Sequence, residues 1–332
     1  MNKIAIVILN WNGAELLHQF LPTIIQYSTN ATIYVADNAS TDNSIEVLQT
    51  EFPEVKIISN TNNFGFAKGY NEALQYVEEP LLALVNSDIE VTEGWLNPIL
   101  DQFNNEANTA IIQPKILDYK NKALFEYAGA AGGFIDKYGF PFCRGRIFES
   151  IEKDTYQYND IKDIFWASGA CFFIRNEVFK KLQGFDEDFF AHQEEIDLCW
   201  RVKNLGYQIK YNGNSTVYHV GGATLKTGSP YKTFLNFRNS LWMLTKNLPK
   251  KELISTLFIR LTFDGIAGIK FLLEGKPLHL WAVLKSHFYF YLNLNKNLKK
   301  RNPKTGLKKY YTVESIVYLH YIKKKKYFSE LF

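Results

Sequence analysis

Cysteine is scarce in this sequence, with 3 among 332 residues and no CxxC pair. An odd number of isolated cysteines supports neither a disulfide framework nor a zinc knuckle. Cys143, Cys171 and Cys199 therefore indicate a reducing compartment. The segments around them are not similar to one another, so their regular spacing does not indicate a repeat.

Long apolar runs are also missing. The first run, Ile4 to Leu9, ends in a polar turn and is too short for the apolar region of a signal peptide. The most apolar later stretch, 254–273, contains Arg260, Asp264 and Lys270, each costing about 2.5 to 3.5 kcal/mol near a bilayer centre. We therefore expect no export signal, no membrane-spanning helix and a cytoplasmic location.

A glycine-rich phosphate loop is the third absence. The first apolar run is followed by Asn10-Trp11-Asn12-Gly13, which offers one glycine and a bulky indole where a GxGxxG loop would need bare backbone. This disfavours a dinucleotide cofactor. A nucleotidyltransferase is a weaker alternative for a similar reason, because it is expected to carry a glycine- and arginine-rich loop here.

Basic residues are concentrated at the C-terminus. Residues 296–332 contain 11 basic and 2 acidic residues, whereas the rest of the chain contains 27 basic and 32 acidic ones. Aromatic residues make up 16% of the sequence, and those that follow residue 230 and precede this tail include Tyr231, Phe234, Phe237, Trp242, Trp281, Phe288, Tyr289, Phe290 and Tyr291. Basic and aromatic helices favour an anionic membrane surface. The alternatives are that the aromatic helices pack on the body or form a homodimer, and that the basic tail is solvated. No nucleic-acid-binding motif is present, so nucleic acid is not an expected partner.

The first 120 residues alternate between short apolar runs and amphipathic segments. These predict strands at 4–9, 32–36, 55–58 and 81–85, and helices at 14–27, 43–50 and 66–77. Such βαβ repetition predicts an α/β fold with a doubly wound, mostly parallel, Rossmann-like sheet. Loops or a short hairpin are expected at 120–165. They precede a strand at 170–174, helices at 177–182 and 194–205, and a helical extension from Tyr231.

Polar residues follow three of the predicted strands. Asn10 and Asn12 follow the first, Asp37 the second, and Asn86-Ser87-Asp88 the fourth. Open α/β sheets bind ligands beyond the carboxyl ends of their strands, and a carboxylate such as Asp37 there suits a nucleotide. Asp88 is a candidate ligand for Mg²⁺ or Mn²⁺, which one or two carboxylates hold together with substrate phosphates. A simple turn is the alternative for Asn86-Ser87-Asp88.

Acidic residues are concentrated at the start of the helix predicted at 194–205. Glu194, Asp197 and Arg201 share one helix face, and Glu195 is rotated about 100° from Glu194. One glutamate is a candidate general base for an incoming hydroxyl, with Arg201 fixing the neighbouring acids. The alternative is a structural role at the helix dipole. His219 is a candidate manganese ligand or a packed histidine.

Together these motifs resemble the inverting family 2 glycosyltransferases with the GT-A fold, particularly bacterial rhamnosyltransferase-like members, over residues 3–245. The matching segments are Val7 to Gly13, Asp37 to Asp42, Asn63 to Ala67 with Asn71, Asn86 to Asp88, Ser168 to Ala170, and Gly184 to Asp197 with Arg201. Their order and spacing carry the resemblance. Two positions depart from the family pattern: residue 195 is Glu where Asp is usual, and Asn86 replaces the first acid of the DxD motif.

The resemblance implies roles for these residues. Glu195 is the base, with Glu194, Asp197 and Arg201 in the catalytic group, and Asp88 and His219 bind Mn²⁺ or Mg²⁺. The implied donor-binding residues are Asn10, Asn12, Asp37, Asn63, Gly65, Phe66, Asn71, Asn86, Ser87 and Gly169. The implied reaction moves a sugar, with inversion, from dTDP-rhamnose or a UDP-sugar to a glycan hydroxyl.

The resemblance also suggests where the protein works. The expected acceptor is a lipid-linked saccharide used in cell-surface polysaccharide synthesis, at the inner face of the plasma membrane. The expected domains are a GT-A catalytic domain at 1–228, with halves at about 1–120 and 120–228, and a helical extension at 229–332. A catalytically silent sugar-binding or scaffold subunit is the non-enzymatic alternative.

Overall fold

A computed structural model describes residues 3–221, 228–301, 307 and 309–332. Its strands are β1 (Ile4–Asn10), β2 (Ala31–Asp37), β3 (Lys56–Ser59), β4 (Leu81–Asn86), β5 (Ile89–Val91), β6 (Thr109–Asp118), β7 (Gly133–Ile135), β8 (Pro141–Cys143), β9 (Arg146–Ile147), β10 (Ser150–Ile151), β11 (Ile161–Asp163), β12 (Cys171–Arg175) and β13 (Gln208–His219). Its α-helices are α1 (Ala14–Tyr27), α2 (Ser44–Glu51), α3 (Gly65–Ala73), α4 (Asn97–Asn105), α5 (Asn176–Lys181), α6 (Glu194–Asn204), α7 (Pro230–Asn247), α8 (Leu253–Leu273), α9 (Pro277–Leu292) and α10 (Leu294–Lys299).

The main sheet has the strand order β11-β13-β6-β12-β4-β1-β2-β3, with β5 paired to β13. The strands from β4 to β3 are parallel. Beyond β4 the sheet is mixed, because β12 runs antiparallel to both β4 and β6, whereas β13 is parallel to β6. The predicted α/β class with a helical extension is confirmed. The consecutive parallel strands are β4, β1, β2 and β3.

The first strand shows why the sheet lies at the centre. Alternate residues of a strand point to opposite faces. Ala5 and Val7 pack into the core on one face, and Ile4, Ile6 and Ile8 into the core on the other. All five are buried, as expected of a strand covered on both sides.

Segment 120–165 forms more regular structure than the sequence indicated. Strands β7 to β10 make a second, four-stranded antiparallel sheet. Weak periodicity hid these strands because each has only two or three residues.

The C-terminal extension packs on the α/β body. Helix α7 lies against α6 and α9, and α8 lies against α9. Buried residues of α7 include Phe234 and Trp242, and Phe290 of α9 is buried as well, so these three aromatics belong to the core and not to a membrane surface. In the part of the chain that the structure describes, no helix has the length and apolar character needed to cross a bilayer. The predicted boundary at 228/229 adjoins residues 222–227, which lie outside the described residues, as do Lys304 and Lys308 of the basic tail.

Candidate active site

The carboxyl ends of β2, β1 and β4 lie side by side at one edge of the sheet. Asn10 is in register with Asp37, and Leu9 with Asn86. Because β12 runs antiparallel to β4, the residues just before it reach the same edge. The Asn86 backbone N–H donates to the Ala170 carbonyl over 2.9 Å, which brings neighbouring Gly169 to this edge. The polar residues after separate strands thus form one site.

Asp37 lies at the base of this site. Its carboxylate accepts hydrogen bonds from the Ser40 backbone N–H, at 2.9 Å, and from the Ser40 hydroxyl. The Asn10 amide donates to Asp37 Oδ1 over 3.1 Å and is fully buried. Asn10 was predicted to contact a donor directly. In the structure the buried Asn10 side chain orients Asp37, and its contact with a donor stays a prediction.

Asn12 ties the loop after β1 to the loop after β2. Its side-chain oxygen accepts from the Thr41 backbone N–H over 2.7 Å, and its own backbone N–H donates to Ser40 Oγ over 2.9 Å. Asn12 is exposed, so it remains accessible to a ligand. Ser87 comes close to the same loop, since its Oγ lies 3.8 Å from the position that a β-carbon on Gly13 would occupy.

The start of α3 forms another wall of the site. Asn63 Oδ1 accepts from the Gly65 backbone N–H over 3.0 Å. Gly65 has φ +73°, and a β-carbon there would lie 2.7 Å from the Phe190 ring, so only glycine fits. The Phe66 ring reaches the Gly169 backbone, 3.4 Å from a β-carbon built there. These residues line the crevice together.

Asn71 is hydrogen-bonded to the backbone of Phe185. Its amide donates to the Phe185 carbonyl and accepts from the Phe185 backbone N–H, both over 2.9 Å. Both ends of the amide are therefore occupied by protein backbone. Asn71 therefore joins α3 to the segment that leads into α6, and its contact with a donor stays a prediction.

Asp88 and His219 meet beside this edge, as predicted. His219 Nε2 lies 3.2 Å from Asp88 Oδ1, and Nδ1 lies 3.3 Å from Glu126 Oε1. All three side chains are buried. Burial opposes ionisation of Asp88, but the hydrogen bond and charge of His219 outweigh it and lower the pKa of Asp88. Burial likewise opposes the imidazolium, yet hydrogen bonds to the two carboxylates and their charges raise the pKa of His219 to about 10.

This pair suits a divalent cation. Carboxylate oxygen and imidazole nitrogen are both manganese ligands, and neighbouring octahedral ligands at about 2.1 Å lie about 3 Å apart, close to the separation of Asp88 and His219. Among the described residues, no group of three or more His, Cys, Asp or Glu side chains is arranged to hold a metal ion. A cation here would therefore depend on phosphate oxygens of a ligand for its remaining coordination, and it would compete with the proton on His219.

Two adjacent glutamates begin α6 with different exposures. Glu194 is buried, and burial together with the charge of Glu195 raises its pKa well above the ordinary value. Glu195 is half-buried, its side-chain carbons lie 3.8 Å from a β-carbon built on Gly169, and burial raises its pKa to about 7. Glu195 therefore lies beside Gly169 at this edge, with a carboxyl group whose pKa is near neutral.

Asp197 and Arg201 belong to a buried ion cluster behind the crevice. Asp197 accepts from Arg201 Nε and Lys246 Nζ over 2.8 Å and from the Asn247 amide over 2.7 Å. Arg201 also donates to the Leu182 and Gly184 carbonyls. Both residues were predicted as catalytic. In the structure their polar groups hold α6, the preceding segment and α7 together, and their part in catalysis stays a prediction.

Sequence reasoning missed Glu126, Asn239 and Lys246. Glu126 follows a stretch without clear periodicity, and its contact with His219 depends on how distant strands align. Lys246 gave a possible signal, since a lysine on the buried face of a helix requires a partner charge. Asn239 gave none, because its contacts are with backbone carbonyls of a remote loop.

Comparison with known proteins agrees with this geometry. The chain is 23% identical to the low-salt glycan biosynthesis hexosyltransferase Agl10 of Haloferax volcanii, over 83% of this chain and 87% of the relative. It is 21% identical to the N-acetylglucosaminyl-diphospho-decaprenol L-rhamnosyltransferase of Mycobacterium tuberculosis, over 64% and 75%. The crystal structure of GalNAc-T7 with UDP, GalNAc and Mn²⁺ matches its fold with a TM-score of 0.58 and 15% identity, over 74% of this chain and 48% of that one.

The family model "Glycosyl transferase family 2" matches residues 5–183, which include the strand ends carrying Asp37 and Asp88. The structural match supports the predicted GT-A fold, and the sequence relatives include hexosyl- and rhamnosyltransferases. The chain belongs to glycosyl transferase family 2.

Proposed function

We propose that this glycosyltransferase moves a sugar, with inversion, from a nucleoside-diphosphate donor to a glycan hydroxyl. The observation that supports the proposal is that the strand ends carrying Asp37 and Asp88 lie at the same edge of the sheet as Gly169, which Glu195 contacts. Asp37 suits a ribose or base contact, and Asn12, Asn63, Phe66, Asn86, Ser87 and Gly169 line the space between it and Glu195. The first donors to test are dTDP-rhamnose and UDP-sugars, since one relative is named a rhamnosyltransferase.

The mechanism follows from the chemistry of the two reacting groups. The acceptor hydroxyl must lose a proton as its oxygen attacks the anomeric carbon from the side opposite the diphosphate. Glu195 takes this proton, because it lies beside Gly169 with a pKa of about 7. Attack from the opposite face displaces the diphosphate in one step and inverts the anomeric carbon. Glu194 is more deeply buried, and we assign it no proton transfer.

Asp88 and His219 would hold Mn²⁺ or Mg²⁺ when the donor is bound. The cation supplies electrostatic stabilisation of the negative charge that develops on the leaving diphosphate. The Gly221 backbone N–H donates to Asp88 Oδ2 over 3.1 Å and fixes the orientation of this carboxylate. Glu126, on the far side of His219, holds the imidazole ring in place.

A panel of nucleotide sugars tests this function. We expect release of one nucleoside diphosphate from the matching donor in the presence of a glycan acceptor, with more product when Mn²⁺ is present. The same nucleotide should raise the melting temperature, because a ligand of the native state stabilises it. Binding of a nucleotide sugar without release of diphosphate would instead support the silent sugar-binding alternative.

We also propose that the hairpin of α8 and α9 rests on the cytoplasmic face of a membrane and there meets a lipid-linked acceptor. Helix α8 has a reversed polarity, because its buried residues are polar, charged or small: Thr256, Arg260, Asp264 and Gly268. Its exposed face carries large apolar side chains, including Ile254 at 83% and Phe258 at 71% exposure. Helix α9 continues this surface with Leu278, Trp281, Leu284, Phe288, Tyr291 and Leu292. An exposed apolar surface formed by large side chains of two helices indicates an interaction site.

Charge favours an anionic lipid surface as its partner. Lys270 Nζ of α8 lies 5.8 Å from the centre of the Tyr321 ring. This contact brings the lysines at 323–326, of which all but Lys325 are exposed, toward the apolar face. Aromatic rings beside lysines are typical of helices that lie in the headgroup layer.

Part of the basic tail, however, binds the protein itself. Lys296 pairs with Asp188 over 2.7 Å, Lys300 with Asp186 and Asp188, and Arg301 donates to the Leu248 carbonyl. For these three residues, the structure supports the alternative of packing on the body. We therefore place the proposed lipid contact on the hairpin and on the lysines at 323–326.

Replacement of Trp281 and of Phe288 by serine tests the hairpin. Each variant should bind phosphatidylglycerol–phosphatidylcholine vesicles about tenfold more weakly in a sedimentation assay, since each loses apolar area buried in lipid. Tyr76→Ser, which removes an equally exposed ring from the catalytic body, is the matched control and should bind normally. Unchanged vesicle binding together with loss of a dimer in analytical ultracentrifugation would assign this face to a second copy of the chain.

A further inference from the structure

The loop before α6 has an unusual backbone. Phe190, His192 and Gln193 all have positive φ angles, of 64°, 70° and 74°. Such angles are uncommon outside glycine, and a bulky residue adopts them only where its surroundings impose them. At Phe190, φ 64° and ψ −59° form a γ-turn of the rare, strained kind, closed by the Ala191 N–H donating to the Phe189 carbonyl over 2.8 Å. Glu194 and Glu195 follow this loop directly.

One side chain of α7 lies against the carbonyl groups of this loop. Asn239 Nδ2 lies 3.0 Å from the Phe189 carbonyl oxygen, 2.9 Å from that of Ala191 and 2.7 Å from that of His192. Asn239 is fully buried. A buried carbonyl without a hydrogen-bond partner costs free energy. The Asn239 amide therefore stabilises a loop conformation in which these three carbonyls would otherwise be exposed or buried without a partner.

Arg238 fixes the orientation of that amide. Its Nε donates to Asn239 Oδ1 over 2.8 Å, which leaves the NH₂ group of Asn239 facing the loop. Its own NH₂ group donates to the Phe189 carbonyl over 3.1 Å. The guanidinium lies 4.2 Å from the centre of the Trp242 ring, so stacking holds it in place.

The same helix also holds the first turn of α6. Lys246 pairs with Asp197 of α6 and with Asp186, which precedes the loop. The strained loop therefore lies between two contacts made by α7, one from Asn239 and one from Lys246. No contact between Asn239 and the crevice is needed for this arrangement.

We infer that Asn239 is a positioning residue for transfer: through the strained loop 189–193 it sets where the Glu195 carboxylate lies in the crevice. The inference rests on the proposed function of Glu195 as base. It gives the C-terminal extension, to which α7 belongs, a part in positioning the base, in addition to its packing on the α/β body. A carboxylate displaced by a fraction of an ångström loses much of its effect on rate, whereas the proposed nucleotide contact at Asp37 is untouched.

Asn239→Leu tests this inference, because leucine fills a similar volume without donating to the carbonyls. We expect kcat to fall about 10- to 100-fold while the donor KM and the Kd values of UDP and dTDP stay within about twofold. Hydrogen–deuterium exchange should quicken in the peptide covering 186–198. Asn236→Leu, the same change on the same helix at a half-buried position, is the matched control for both measurements.

Arg238→Met is the second variant, in case Asn239→Leu does not fold. It removes the bond that orients Asn239 and should move kcat and exchange in the same direction by a smaller amount. Unchanged kcat, unchanged exchange of 186–198, or equal losses in Asn236→Leu would overturn the inference and leave the proposed function intact. A wild-type protein that transfers no sugar from any donor would overturn the proposed function and this inference with it.

Discussion

Replacing Glu195 by glutamine is expected to slow sugar transfer about 10²- to 10⁴-fold, the usual contribution of a positioned general base. Glutamine keeps the size of the side chain but cannot accept the acceptor proton. Because Glu195 contacts Gly169 whereas Asp37 ends β2 and is held by Asn10 and Ser40, binding of UDP and dTDP should be unchanged. Single-turnover rates and calorimetric binding measure the two effects separately.

The pH profile gives a second signature of the same residue. Burial raises the pKa of Glu195 to about 7, and a base acts only in its ionised form, so kcat of the wild-type protein should fall as the pH drops below about 7. Stability should change in the opposite sense. A carboxyl whose pKa is raised by folding adds stability below its unfolded pKa, and this is lost as the pH rises through about 7. Glu195→Gln should therefore melt higher than wild type at pH 8.

Glu194→Gln is the matched control for this prediction. Its side chain is one residue away, but it is buried and its pKa is raised well above the ordinary value, by burial first and by the charge of Glu195 second. We expect a much smaller loss of rate from Glu194→Gln. Near-normal turnover of Glu195→Gln, with the loss in Glu194→Gln instead, would transfer the role of base to Glu194.

Replacing Asp88 by asparagine is expected to reduce transfer about 10²- to 10³-fold, the range found when one group that stabilises transition-state charge is removed. Asparagine can still accept a hydrogen bond from the Gly221 N–H, so the local backbone should survive. What is lost is the negative charge that attracts a divalent cation to the diphosphate. Transfer assays with and without Mn²⁺ measure this loss.

Nucleotide affinity distinguishes a metal ligand from a merely structural acid. Mn²⁺ should tighten UDP or dTDP binding to the wild-type protein and have little effect on Asp88→Asn. Asp118→Asn is the control, because Asp118 ends β6 at the same edge and accepts from the Asn121 N–H, and it should keep the response to Mn²⁺. An Asp88→Asn protein whose affinity still rises with Mn²⁺ would show that Asp88 does not hold the cation.

The elements of the first half illustrate what could be predicted from the sequence. Helix α1 was predicted with its observed bounds, and β1, β2 and β4 to within one residue at each end. These elements have strong local patterns, since buried parallel strands are continuous apolar runs and α1 has a clear apolar stripe. Strand β6 was missed, although all but its last residue are buried. It contains Gln113, Pro114 and Lys115, which interrupt the apolar run.

The aromatics and lysines of the C-terminal extension show the opposite case. Sequence composition suggested a lipid contact for the aromatics of the extension and for the lysines of the tail. Burial divides the aromatics into core residues such as Trp242 and exposed ones such as Trp281. Ion pairs identify the tail lysines that bind the body. Lys300, for example, pairs with two aspartates of the body. Neither division is visible in a composition count.

The sequence by itself determined the α/β class, the strand ends that carry Asp37 and Asp88, and the acids at the start of α6. It did so because apolar periodicity is local and because parallel strands bring their carboxyl ends to one edge. Only the tertiary structure decided which of these acids is buried, and which residues of α7 pack against α6 and the loop before it. Lys246 meets Asp197 across 49 residues of chain, and Asn239 meets Ala191 across 48. Such contacts depend on how helices pack and on which side chains become buried, and no local pattern encodes either.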